Sequence, residues 1–156
     1  MARERRAAIL QTDGGFEVQI RKLTTKDEHL LLGVHPGLLD RGIQPELASE
    51  FLKDPRHHFI AAIDSGDIIG FVSALHYIHP DKPPRLWINE VGVAPGFRGR
   101  GVGKAMMAKV LSMAAELGCT EAWTLTEPDN EAATALYTSV GGAPSPSIMY
   151  RFPLGS

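Results

Sequence analysis

The sequence predicts an α/β layered domain built on a mixed β-sheet, and three observations carry that prediction. Apolar stretches of period two alternate along the chain with apolar stretches spaced by three and four. Turn chemistry such as Asp64-Ser65-Gly66-Asp67 and His79-Pro80-Asp81-Lys82-Pro83-Pro84 separates them. An apolar run ending at Val93 also passes through glycines and bases straight into a long helical pattern, a strand-loop-helix join. At 156 residues, 44% hydrophobic and 22% charged, the chain has the size of one domain, able to bury about two-thirds of its unfolded surface.

The elements follow in order. Residues 1–15 read as a polar, flexible leader carrying Arg3, Arg5 and Arg6, and residues 16–156 as the domain. Phe16 to Arg21 alternates apolar and polar, a half-buried strand. Thr25 followed by Glu28 has the form of a capping box and opens a helix through Leu32. A second short helix runs from Pro45 to Leu52, with Gln44 an indifferent cap. Phe59–Ile63 and Ile68–Ile78 are strands joined by the Asp64–Asp67 turn. Arg85–Val93 is the next strand, and Gly101–Leu117 a long helix with Val102, Met106, Val110, Met113 and Leu117 on one face, ended by Gly118. Thr120–Thr126 is another strand, Asp129 or Asn130 caps a helix reaching Ser139, and Ile148–Phe152 closes the sheet.

Composition excludes several classes of function. A net charge of −2 argues against nucleic-acid binding driven by bulk electrostatics. No apolar run approaches the roughly 20 residues of a membrane span, and no signal-peptide core follows the N-terminal arginines. The expected residence is the cytoplasm. The single cysteine, Cys119, makes no internal disulfide and no thiolate metal cluster, and it reads as a small buried hydrophobe. His57-His58 reads as a surface pair, and His76 and His79 flanking Tyr77 do not suffice for a metal, so no metal is expected. Trp87 and Trp123 are expected to pack on the sheet, Trp123 with the option of shaping a pocket. The five acids from Val110 to Tyr150, with no Lys, Arg or His among them, suit a cationic ligand.

The join itself, Val93-Ala94-Pro95-Gly96-Phe97-Arg98-Gly99-Arg100-Gly101-Val102-Gly103-Lys104, offers unpaired backbone N–H groups and a helix N-terminus to an anion, most naturally a diphosphate. Neither a G-x-G-x-x-G after the first strand nor a G-x-x-x-x-G-K-[ST] run is present, which disfavours dinucleotide and nucleoside triphosphate binding. The glycines let backbone approach the anion, while Arg98, Arg100 and Lys104 can neutralise outer phosphates.

This segment resembles the acyl-coenzyme-A loop of the GNAT superfamily of N-acetyltransferases: a hydrophobic residue, any residue, Pro, then [Arg/Gln]-x-x-Gly-x-[Gly/Ala], with Val93, Pro95, Arg98, Gly101 and Gly103 in place. A second stretch, Asn130 to Gly141, resembles the superfamily's last motif through Asn130, Ala133, Leu136, Tyr137 and Gly141, with Gly142 where an aromatic is usual. The resemblance implies a mostly antiparallel sheet with helices on both faces and a splay between two central parallel strands. It implies acetyl-coenzyme A as cofactor, held by backbone N–H groups of Val91 and Val93 along its pantetheine arm. The loop N–H groups of Arg98, Gly99, Arg100, Gly101, Val102 and Gly103 would surround its diphosphate, with Lys104 beside them, and Asn130 and Tyr137 would contact the pantetheine end. A homodimer is also common in the family.

Within that frame Glu90, just before Val93, could accept the proton of an attacking amine directly or through water, or be only a solvated strand-end acid. Tyr137 lies seven residues after Asn130, on one helical stripe to within about 20°, and its phenol could protonate the departing sulfur or simply be core. Glu90, Glu127 and Asp129 fall near the ends of the splayed strands and could hold ammonium groups, with Tyr77 lining the same side. Tyr77-Ile78-His79-Pro80, Pro84-Arg85, Ile88-Asn89-Glu90 and Ala135-Leu136-Tyr137-Thr138 are similar to the aminoglycoside 3-N-acetyltransferase branch, which implies a role in antibiotic resistance. Polyamines, other small amines, peptide or protein N-termini, and non-catalytic acyl-coenzyme-A binding are the alternatives.

Overall fold

A computed structural model describes residues 7–12 and 15–155. One six-stranded sheet holds the strands in chain order, β1 (Ala8–Gln11), β2 (Glu17–Lys22), β3 (His57–Asp64), β4 (Asp67–Tyr77), β5 (Arg85–Val93) and β6 (Ala122–Trp123). Neighbours are antiparallel except β5 and β6, which run parallel. The β3–β4 turn places Ser65 at φ 50° and Gly66 at φ 88°, the left-handed pair whose twist matches that of a hairpin. Among the described residues four α-helices complete the domain: α1 (Glu28–Leu31), α2 (Pro45–Lys53), α3 (Val102–Glu116) and α4 (Glu131–Ser139). None is long and apolar enough to cross a membrane.

Side chains alternate across the strands, so the sheet carries a core on each face. On one face Ile20, Ile60, Val72, Ala74, Leu86 and Ile88 pack against Val102, Met106, Val110 and Met113 of α3, with Tyr137 and Leu136 of α4 at the edge. Ile60 and Leu86 are wholly buried, each stabilising the fold by about 1.5–3 kcal/mol. Gly70 lets α3 sit this close, because a Cβ there would stand 3.0 Å from Met106 Cε and 3.3 Å from Val102 Cγ1. On the other face Phe59, Ala61, Ile63 and Phe71 pack with Leu31, Leu38, Phe51 and Leu52. Helices therefore cover both faces, as expected.

Four expectations are corrected. The leader reading fails at Ala8–Gln11, which pair with β2 as an edge strand; residues 1–6 and 13–14 of that leader lie outside the described residues. The capping box is one residue earlier, between Thr24 and Asp27, and Thr25–Asp27 form a 3₁₀ turn before α1. Arg21 binds Asp27 at 2.8 Å and, with Thr24, holds its carboxyl down to about 2. The strand expected over Thr120–Thr126 is only two residues long. Finally, Ile148–Phe152 form no strand: Pro144 and Pro146, which lack a ladder donor, lead residues 143–155 away without regular structure. As a result β6 is an edge strand and the β5–β6 pair is not central. Ile148, Tyr150, Phe152 and Leu154 are left exposed at 75–92%.

Candidate active site

The site is built around an irregularity in β5. Glu90 stands opposite Ser73 of β4 and Ile88 opposite Ala74, so Asn89 has no counterpart and forms a bulge. The bulge inverts the alternation of side chains. Leu86 and Ile88 face the α3 core, yet so do Val91 and Val93, while Trp87, Glu90 and Gly92 take the opposite face. A Cβ on Gly92 would meet the Phe71 ring at 2.8 Å and Leu38 at 3.3 Å, which fixes that opposite face as the α1/α2 side. Glu90 is exposed there, with the buried hydroxyl of Ser73 across from it.

Backbone direction follows from the same register. Ala94 donates its N–H to Ile69 of β4 at 2.8 Å, and because backbone groups alternate sides along a strand, Val91 and Val93 turn theirs away from β4. What they face is a fork. β5 and β6 pair only at Leu86–Ala122 and Trp87–Trp123, and beyond Trp123 the chain leaves the ladder. Pairing thus closes at the two tryptophans, at the edge of the sheet rather than its centre, and beyond them the N–H groups of Val91 and Val93 line one side of the gap.

At the open end the chain enters the glycine loop. Pro95–Phe97 make a 3₁₀ turn, and Arg98 Nε donates to the Val93 carbonyl oxygen at 2.9 Å. Gly99 and Gly101 adopt φ of +72° and +79°, a region that costs an L side chain roughly 1–2 kcal/mol. Gly101 is the N-cap of α3 and offers no side-chain cap, and the first intrahelical bond is Ala105 N–H to its carbonyl at 3.0 Å. The N–H groups at the start of α3 therefore lack intrahelical partners and, with no acid in the first turn, present a positive pole. Lys104 is exposed beside them. The Arg100 guanidinium lies 5.2 Å over the Phe16 ring and 5.9 Å from that of Phe97. Gly103 serves packing: a Cβ would stand 3.3 Å from Leu136 of α4.

The remaining predicted residues come from β4 and α4. Asn130 caps α4, its Oδ1 accepting from Ala133 N–H at 3.0 Å, which leaves its Nδ2 donors for a ligand. Tyr137 is half-buried against the α3 core. Glu127 and Asp129 are exposed in the turn ahead of α4, and Tyr77 is half-buried at the end of β4, its hydroxyl accepting from Trp123 Nε1 at 3.0 Å.

Two clusters escaped the sequence reading. The Trp87 and Trp123 rings cross at 79° with centroids 4.0 Å apart, and Trp87 Nε1 donates to Asn89 Oδ1 at 3.1 Å. Only the β5–β6 register brings them together. The surface reading of His57-His58 is also corrected: His58 is 1% exposed, its ring between Lys22 Nζ and His76 Nδ1, both at 2.8 Å. Burial, then the Lys22 ammonium, depress its pKa to about 3. The even number of steps from His58 to the core residues Ile60 and Ala62 was the available signal.

The model of the acetyltransferase (GNAT) family matches residues 25–141. The chain is 37% identical over 81 residues to an L-2,4-diaminobutyric acid acetyltransferase of Nocardia farcinica, covering 52% of this chain and 40% of that protein. It is 34% identical over 85 residues to a streptothricin acetyltransferase of Streptomyces lavendulae, covering 54% and 43%. The chain thus spans less than half the length of these two curated relatives. Among solved structures, an aminoglycoside acetyltransferase from an uncultured soil metagenomic sample, in complex with sisomicin, superposes with a TM-score of 0.78 at 16% identity over 88% of this chain and 97% of that one. Aminoglycoside N-acetyltransferase AAC(6')-Iy in complex with CoA superposes at 0.69 with 26% identity over 86% and 99%.

Proposed function

Because the chain belongs to the acetyltransferase (GNAT) family, we propose that it is an N-acetyltransferase that moves an acetyl group from acetyl-coenzyme A to a primary amine of a cationic small molecule. The observation that carries this reading is the continuity of the fork with the loop. Fork-facing backbone at Val91 and Val93 leads directly to the left-handed glycines Gly99 and Gly101 and to the uncapped start of α3. This is a donor array suited to an amide-bearing arm that ends in a diphosphate.

Acetyl-coenzyme A supplies an activated acetyl thioester. Val91 and Val93 hold its arm through backbone, and the N–H groups of Arg98 to Gly103 hold the diphosphate, with Lys104 adding charge. Arg98 keeps the loop against β5 through Val93, and Asn130 offers its amide to the arm. Glu90 takes a proton from the substrate ammonium, directly or through water, and leaves the amine neutral and nucleophilic. A fork-facing N–H polarises the carbonyl oxygen. Tyr137 donates its hydroxyl proton to the departing sulfur, and the proton that the acetylated nitrogen gives up restores the phenol. Attack is direct, within a complex of both substrates.

For the acceptor we favour an aminoglycoside modified at its 3-amine. The named relatives act on diaminobutyric acid and streptothricin, solved neighbours are aminoglycoside acetyltransferases, and Glu90, Glu127 and Asp129 are exposed where ammonium groups would dock. Regiochemistry rests on the sequence segments around Tyr77, Glu90 and Tyr137. Incubation with acetyl-coenzyme A and a panel of aminoglycosides, polyamines and peptides tests it, with the product's acetylated nitrogen read by NMR. We also infer a homodimer, supported by the exposed Ile148, Tyr150 and Phe152 and by the open edge of β6.

A further inference from the structure

We propose that Trp87 and Trp123 form a second acceptor subsite, an aromatic corner at the closed end of the fork that seats a C–H-rich ring bearing ammonium groups, remote from the amine being acetylated. This rests on the amine-acetyltransferase reading and extends it to the shape of the acceptor. Three observations carry the inference.

The first is placement. Trp87 and Glu90 would face opposite sides of a regular strand, but the Asn89 bulge puts both on the α1/α2 side. Across the bulge Glu90 and Trp87 stand opposite Ser73 and Leu75, two register steps apart, so at about 3.3 Å per step the corner lies roughly 7 Å from Glu90 along the sheet. That span fits a molecule of two linked rings, one delivering its amine to Glu90 and the other resting on the indoles. A short alkylamine has no ring to lay on the indoles, whatever its reach.

The second is chemistry. Indole recognises ligands through its N–H or through its π face, and here both N–H groups are consumed, Trp87 by Asn89 at 3.1 Å and Trp123 by Tyr77 at 3.0 Å. What is left on offer is ring face, mainly that of the more exposed Trp123, in a pair crossed at 79°. Such faces attract C–H bonds and cations, and they offer nothing to an anion.

The third is charge. Trp123 stays 38% exposed, and the neighbouring cation, Arg85, is engaged by Glu121 at 3.3 Å. Glu90 is an exposed acid on the same face of β5 as Trp87. The corner is therefore an aromatic floor whose neighbouring cation is neutralised and whose face of β5 also carries the exposed acid Glu90, which suits a cationic ring system.

The chain's two tryptophans are the corner itself, so intrinsic fluorescence reads it without a label. Titration with neamine, a two-ring amine, is expected to quench or shift the emission, whereas putrescine is expected to leave it unchanged. Trp123→Ala should lower the ratio of kcat/KM for neamine over putrescine by about tenfold, the effect of losing one cation–π face, and Trp123→Phe should restore most of that ratio. An unchanged ratio in Trp123→Ala, or unaltered emission at neamine concentrations that saturate turnover, would overturn the subsite. An emission change on neamine binding with no acetyl transfer to any amine would instead overturn the enzymatic reading and leave the subsite standing.

Discussion

Arg98 Nε donates to the carbonyl oxygen of Val93 at 2.9 Å, which ties the glycine loop to the last residue of β5. The bond holds the start of the loop against the end of the fork before any ligand arrives. Arg98→Lys keeps the charge and loses the planar donor geometry. Its KM for acetyl-coenzyme A should rise about tenfold with little change in acceptor KM, measured by initial rates with each substrate varied in turn.

Gly99 and Gly101 hold left-handed conformations in open space, so substitution there acts through backbone alone. Alanine at either position should weaken coenzyme A binding by about five- to thirtyfold, given a strain of roughly 1–2 kcal/mol. Gly96→Ala is the control: that residue has no positive φ, and a Cβ added to it would meet no atom within 4 Å. Titration calorimetry should find the Gly96 variant indistinguishable from the parent.

Glu90→Gln should reduce turnover by about 10²–10⁴, the span associated with a positioned general base, and the residual rate should rise with pH as free amine becomes abundant. Tyr137→Phe should lower kcat by about 10²-fold while coenzyme A affinity stays near the parent value. A loss of thermal stability with unchanged kcat would mark Tyr137 as core packing instead.

His58 governs acid sensitivity. Its pKa is lowered from 6.5 to about 3, so between those values the unfolded chain binds a proton that the folded chain does not. Stability is then full above about pH 6.5 and falls as pH drops through that window. Asp27, depressed to about 2, adds loss only below about pH 4. Urea unfolding at pH 7 and pH 5 should show a clear decrease for the parent and a much smaller one for His58→Gln.

Tyr150 and Phe152 are 75% and 78% exposed. Replacing both with Asp should shift sedimentation from dimer to monomer. A parent that already sediments as a monomer would contradict the proposed dimer, and a dimer unchanged by the substitutions would contradict this interface.

Most of the fold was legible because periodicity and turn chemistry coincide. β5 runs from Arg85 to Val93 as the pattern predicts, and α3 begins just after Gly101 for the reason its sequence gives, an uncapped glycine N-terminus. The glycine loop was legible too, since left-handed φ and close helix packing each demand glycine. The Asn89 bulge was not, because nothing in Ile88-Asn89-Glu90 distinguishes an unpaired residue from a paired one until the register with β4 is known. With the bulge hidden, the shared face of Trp87 and Glu90 was hidden as well. The C-terminal apolar run was read by composition as a strand, but a strand needs a partner edge, and the prolines before it direct the chain elsewhere.

The most direct test follows free thiol release from acetyl-coenzyme A with and without an amine acceptor, with mass spectrometry of the product. The account predicts thiol release that depends on a cationic amine and matches, mole for mole, an acceptor heavier by one acetyl group. Tight binding of acetyl-coenzyme A with no acetylated product from any amine would contradict it.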